Sequence, residues 1–200
     1  ITTFGVGANP GTIDQPRHLT VGADGNVWFT NLGNDFIGRL NADTGVVNVY
    51  PGASRPTELV LGPDGHVWFA GDEIGRITTR GVVTTYAEPA KQIVAGGDDR
   101  LWFLSPDDRI GSIDASGVPV FTTATVVGAT DLAVDAGGNL WISSYPPDGG
   151  ATADAKVHVF DPATQTVSSG TFAARGPGPG SQPSLPIAGG PDLSVWFVNG

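Results

Sequence analysis

Five tryptophans head near-identical phrases, and this repeat constrains the fold more than any other feature of the chain. The phrases are NVWF at 26–29, HVWF at 66–69, RLWF at 100–103, NLWI at 139–142 and SVWF at 194–197. Trp28, Trp68, Trp102, Trp141 and Trp196 follow at intervals of 40, 34, 39 and 55 residues. Four residues before each Trp stands Asp24, Asp64, Asp98 or Asp192, with Gly137 as the exception. Six before stands Gly22, Gly62, Gly96 or Gly190, with Asp135 as the exception. Downstream come IGRL at 37–40, IGRI at 74–77, IGSI at 110–113 and VHVF at 157–160.

Each unit reads as four short β segments, here called a to d. Strand a (Leu19–Val21, Glu58–Leu61) turns through Asp-Gly into strand b, which carries the Trp. Asp-Gly is a favoured two-residue hairpin pair because both residues tolerate positive φ. Strand c is the IGRI run, and strand d ends on Tyr50, Tyr86 or Phe121. Four strands every ~40 residues is the period of a β-propeller blade. No window keeps a helical period, because Gly and Pro interrupt each one. The expected fold is all-β, a single β-propeller domain over 1–200 with about five repeats, four whole and one split. The Trp column should be buried between blades, since large rings fill the space that twisted sheets leave.

Ile1–Phe4 matches a strand d, and the chain closes just after the strand b of Trp196. The split blade lacks its strand c. This favours part of a six- or seven-bladed ring over a closed ring of five, and an incomplete ring predicts self-association through an exposed sheet edge. The loop Tyr145–Ala155 is the longest b–c connection and a candidate functional loop. Gly5–Gln15 and Gly176–Gln182 join strands d to strands a.

The net charge of −10 would be repelled by a nucleic-acid backbone, which makes DNA and RNA poor partners. No apolar run approaches the ~18 residues of a membrane span. Without cysteine there are no disulfides, thiolate metal sites or cysteine nucleophiles. The absence of Cys and Met and the scarcity of Lys suggest an exported or extracellular protein.

The register also points to a site. In a propeller, strand a lines the central channel. Ten residues before each Trp stand His18, Glu58, Gln92, Asp131 and Pro186, so four of five are polar and fall at one mouth of that channel. The b–c loops at the same end bring Asn31, Asp35, Asp72 and Glu73. Glu58 and Asp131 are candidate metal ligands. Their oxygen donors suit Mg²⁺ or Ca²⁺. His18 is a candidate general base. Gln92, Asn31, Asp35, Asp72 and Glu73 are candidate contacts to a small-molecule or peptide ligand. The plainer alternative is that polar residues at a wet channel mouth cap strand ends. His66 reads as a hairpin residue, and His158, in the Gly position of IGRI, as structural. Arg39 and Arg76 should pair with acidic neighbours.

The segments PRHLTVGADGNVWFTNLGNDFIGRL (16–40) and RPTELVLGPDGHVWFAGDEIGRI (55–77) resemble the repeats of the virginiamycin B lyase (streptogramin lyase) family. The resemblance covers essentially the whole chain, repeat by repeat. It implies a seven-bladed ring in the lyase itself and Mg²⁺-assisted elimination that linearises a cyclic depsipeptide. It also implies a His base and a Glu-x-His pair at one end of the tunnel. This sequence has no Glu-x-His: Glu58, Glu73 and Glu88 precede Leu59-Val60, Ile74-Gly75 and Pro89-Ala90. Arg17 stands where many relatives carry a His at the start of strand a. Two functions therefore compete. One is a ligand- or protein-binding propeller module. The other is a metal-dependent lyase-like or hydrolase-like enzyme acting on a cyclic peptide, ester or lactone.

Overall fold

The structure, a computed structural model, describes residues 13–145, 156–171, 186–190 and 195–197. Among them every regular element is a strand except one three-residue 3-10 turn at Leu32–Asn34. The first sheet runs in the order β1 (Pro16–Val21), β2 (Val27–Asn31), β3 (Phe36–Leu40), β4 (Val47–Pro51). The second is β5 (Glu58–Leu61), β6 (Val67–Ala70), β7 (Ile74–Ile77), β8 (Val83–Tyr86). The third is β9 (Gln92–Ala95), β10 (Leu101–Leu104), β11 (Arg109–Ile113), β12 (Val120–Thr125). The fourth is β13 (Ala129–Val134), β14 (Leu140–Ser144), β15 (Lys156–Asp161), β16 (Thr166–Thr171). A two-stranded ladder of β17 (Ile187–Gly189) and β18 (Val195–Phe197) follows. The four-part repeat read from the sequence is thus four antiparallel meanders, and β1 starts three residues before the expected Leu19. The chain divides into two compact units, residues 1–93 and 94–200.

The repeated side chains explain why each sheet forms. The Trp28, Trp68 and Trp102 indole N–H groups each donate to the Asp four residues back, at 3.1, 3.0 and 3.2 Å. The Gly six residues back makes this approach possible, because a Cβ on Gly22, Gly62 or Gly96 would run into the same indole. In the fourth sheet the carboxylate has moved into that Gly position. The Trp141 indole donates to Asp135 at 2.9 Å, so the two sequence exceptions, Gly137 and Asp135, are one compensated change. A second pairing crosses strands b and c. Phe29, Phe69 and Phe103 stand opposite Gly38, Gly75 and Gly111, and each ring occupies the space a Cβ would need. In the fourth sheet the pair becomes Ile142 opposite His158.

Trp28 and Trp68 are fully buried, and Trp102 nearly so. In the first unit Trp28 packs with Leu59, Val67 and Phe69 of the next sheet. In the second, Trp102 packs with Leu132, Leu140, Ile142 and Phe160 of the next sheet. Within each unit, Trp28 and Trp102 are thus covered by the sheet that follows. Trp141 departs from the expected burial and is only half-buried. Trp196, in β18, is 69% exposed. The expected strand d at Ile1–Phe4, the closing of the split blade, the Gly176–Gln182 loop, and most of the Gly5–Gln15 and Tyr145–Ala155 loops lie outside the described residues.

Candidate functional site

The antiparallel pairing places the residue ten before each Trp at one end of its sheet. Glu58 pairs with Ala70, and Asp131 pairs with Ser143, so both sit where strand b ends and the b–c loop begins. His18 lies within an irregularity of the β1–β2 register at the same end.

Within the first unit three of the expected site residues come together. The Leu59 N–H donates to His18 Nδ1 at 3.3 Å, and the Ile93 N–H donates to Glu58 Oε2 at 3.3 Å. His18 Nε2 faces Glu58 Oε1 at 3.6 Å. With its amide nitrogen turned to Glu58, Gln92 donates to both carboxylate oxygens, at 3.0 Å to Oε1. In the second unit the Ile187 N–H donates to Asp131 Oδ2 at 2.8 Å, and the Leu132 N–H donates to Oδ1. A single rule covers three of these contacts. The polar side chain ten residues before one Trp accepts the backbone N–H of the residue nine before the Trp of the next sheet. The column that reads as a ligand site is also a clasp between successive sheets.

The chemistry follows from those partners. Because Leu59 donates to Nδ1, neutral His18 carries its proton on Nε2, which points at Glu58. Both ring nitrogens are engaged. A proton taken from a substrate would have to arrive at Nδ1 and displace the Leu59 N–H. The oxygens of Glu58 and Asp131 likewise face backbone or amide N–H donors. Among the described residues no three His, Cys, Asp or Glu side chains lie close enough together to hold a metal.

The b–c loop candidates are placed as follows. Asn31 is fully buried, and its Oδ1 accepts the Asp14 N–H at 2.6 Å. Asp35 adopts a left-handed conformation, φ 58°, and its Oδ1 accepts the Arg55 N–H at 3.0 Å. Asp72 is exposed, with Ser54 Oγ at 3.5 Å and Arg55 Nη1 at 3.9 Å. Glu73 is half-buried beside it.

The sequence reading missed Asp108. It too is left-handed, φ 66°, and its Oδ2 accepts the Gly128 N–H at 2.8 Å, again twenty residues downstream. The available signal was an Asp three residues before the strand c Gly, shared by Asp35, Asp72 and Asp108. At the opposite end His66 lies 3.2 Å from Asp64, and Arg39 and Arg76 pair with Asp24 and Asp64 at 3.1 and 3.3 Å, as expected.

Comparison with known proteins agrees with this architecture. A streptogramin B lyase structure matches with a TM-score of 0.75 and 27% identity, covering 94% of this chain and 63% of that one. A catalytically inactive virginiamycin B lyase from Staphylococcus aureus, with quinupristin, matches at 0.74 and 27%, covering 94% and 64%. A structure described as a putative gluconolactonase shares the fold at 0.65 and 14%, covering 92% and 71%. No curated protein matches the sequence. The chain therefore spans under two thirds of the length of the lyases it resembles. Its fold is the all-β propeller of four-stranded blades expected from the Trp repeat. The model of the virginiamycin B lyase family matches residues 8–148, and the chain belongs to that family.

Proposed function

We propose that this chain is a ligand-binding section of a virginiamycin B lyase-like propeller, taking a small molecule or peptide at the blade ends that carry His18, Glu58 and Gln92. The observation that carries this reading is the commitment of both His18 ring nitrogens, one to the Leu59 N–H and one toward Glu58. A side chain held this way presents a fixed polar rim but is poorly placed to take a proton. Asp35 and Asp72, on the loops of the same end, give that rim an acidic character. The composition supports export, where such a ligand would be met.

The second reading is elimination with His18 as base and Mg²⁺ or Ca²⁺ at Glu58. What favours it is the His18–Glu58 pairing, since a carboxylate facing an imidazole is the arrangement that orients a general base.

Quinupristin, present with the Staphylococcus aureus relative, separates the two readings. Ring opening by elimination leaves its mass unchanged but alters chromatographic retention, whereas hydrolysis adds one water. We expect calorimetric binding, weakened in Gln92→Ala, with retention unchanged in millimolar Mg²⁺. A Mg²⁺-dependent linear isomer that disappears in His18→Ala would establish the lyase reading instead. Absence of binding at millimolar ligand would remove the binding reading for this class of compound.

A further inference from the structure

In the second unit, His158 stands where three other repeats carry Gly, and it bridges two serines. Ser144 Oγ lies 2.8 Å from His158 Nε2, and Ser169 Oγ lies 2.8 Å from His158 Nδ1. Register explains the arrangement. His158 is directly opposite Ser169 across β15 and β16, and Ser144 is diagonal to it from β14, opposite Lys156. All four side chains therefore share one face of the fourth sheet. That face borders an open pocket of about 300 Å³, lined also by Thr125, Val126 and Val127. The site lies entirely within residues 94–200, and nothing in the proposed binding function uses it.

We propose that Ser144 is an acyl-accepting nucleophile, His158 its general base, and Ser169 a positioning residue, forming a small ester-cleaving site in this pocket. The class of substrate is a compact acyl ester or lactone, preferably with a negative group near the carbonyl. Lys156, lining the same pocket, supplies the nearby cation. The arrangement has the parts such chemistry needs: a nucleophile within hydrogen-bond reach of a base, and a third group orienting that base. When the His158 Nδ1–H donates to Ser169, Nε2 is left to accept from Ser144. Burial, with the Lys156 charge, holds the His158 pKa below its ordinary 6.5, so the ring is neutral and able to accept at physiological pH.

The reaction balances with water as the only co-reactant. Ser144 Oγ forms a bond to the acyl carbon as its proton passes to His158 Nε2. The carbon–alkoxide bond then breaks, and the alkoxide leaves with that proton. Water gives a proton to His158 and attacks the Ser144 ester. The acid departs, and Ser144 regains its hydrogen.

The test uses the 200-residue chain with p-nitrophenyl acetate and, separately, a fluorophosphonate probe located by peptide mass spectrometry. We expect a nitrophenolate burst stoichiometric with protein and a phosphonyl adduct on Ser144. His158→Gly puts back the residue of the other repeats, with circular dichroism checking that the fold is kept. It should lower the acylation rate by about 10²–10⁴-fold, the range for losing a general base. Ser144→Ala should abolish burst and adduct with circular dichroism unchanged. Ser169→Ala should move the pH–rate profile, and Ser169→Thr should restore it. Thr84→Ala, in the first unit, should leave the rate unchanged. A rate that survives Ser144→Ala, an adduct on another residue, or no burst at all would overturn the assignment.

Discussion

At the scale of single residues, the Trp–Asp pair is the unit that holds each sheet's hairpin end. Burial works to raise the carboxyl pKa of Asp64. Hydrogen bonds from the Trp68 indole and the His66 N–H, together with the charges of His66 and Arg76, outweigh it and lower the pKa below 3.8. Asp24 and Asp135 are likewise lowered, burial again being outweighed by donors from Asn26 and Trp28 and from Trp141 and Asn139. The unfolded chain therefore binds more protons on acidification than the folded one. The stability these carboxylates give is present above about pH 3.8 and is lost as the pH falls through their lowered folded values. Melting temperature measured between pH 5 and 2 should fall steeply in the parent protein. Asp64→Asn should start lower at pH 5 and show a shallower fall. Trp68→Ala should cost about 3–5 kcal/mol in chemical denaturation, the range for emptying a large core site. Trp141→Ala should cost clearly less, because Trp141 is only half-buried. Equal losses would mean that the clusters around the two rings contribute alike.

At the scale of elements, the strand b to strand c contact carries a volume rule. A Phe ring lies over Gly in the first three sheets, whereas Ile142 faces His158 in the fourth. Ile142→Phe alone adds a ring where the imidazole already stands, and overpacking of this kind costs about 1–3 kcal/mol. Combined with His158→Gly it recreates the pair of the other sheets, so a double-mutant cycle should show strong positive coupling. Additive effects would show that the ring and the imidazole do not compete. His158 also has a pH signature. Its folded pKa is lowered, so its favourable contribution is present above 6.5 and declines as the pH falls from 6.5 through the lowered value. His158→Gly should flatten this part of the stability profile. Between sheets, the polar residue ten before the Trp matters as an acceptor. Glu58→Ala would leave the Ile93 N–H without its partner, a loss of about 1–3 kcal/mol. Glu58→Gln keeps an accepting oxygen and should be milder.

At the scale of the whole molecule, the open faces are informative. Leu59, Ile93, Leu132 and Ile187 each stand nine residues before a Trp and are buried, whereas the equivalent Leu19 is 65% exposed and Val21 is 59% exposed. Trp196 is exposed as well. Apolar sheet faces of this kind favour a second copy of the chain. We expect concentration-dependent self-association in sedimentation velocity, reduced by Leu19→Lys. A monomer at every concentration, unchanged by that substitution, would contradict it. Far-UV circular dichroism should show strand and almost no helix, far below the roughly one-third helix of an average globular protein.

The Trp spacing, the Asp-Gly hairpins and the IGRI runs determined the sheets, their order and the family, because those residues act through local geometry. A hairpin pair, a Gly under a ring and an Asp four residues before an indole all work within one blade, so the repeat displays them in sequence. The register also singled out His18, Glu58, Gln92 and Asp131 as one column, ten residues before each Trp. What it could not display is which atoms those side chains meet, since their partners, the N–H groups of Leu59, Ile93 and Ile187, belong to the next blade, between 35 and 56 residues away. The same holds for His158. Alone in the sequence it is a departure from Gly. Only the pairing of β14, β15 and β16 sets it between Ser144 and Ser169, because side chains 14 and 11 residues apart along the chain meet when antiparallel strands bring them to one face.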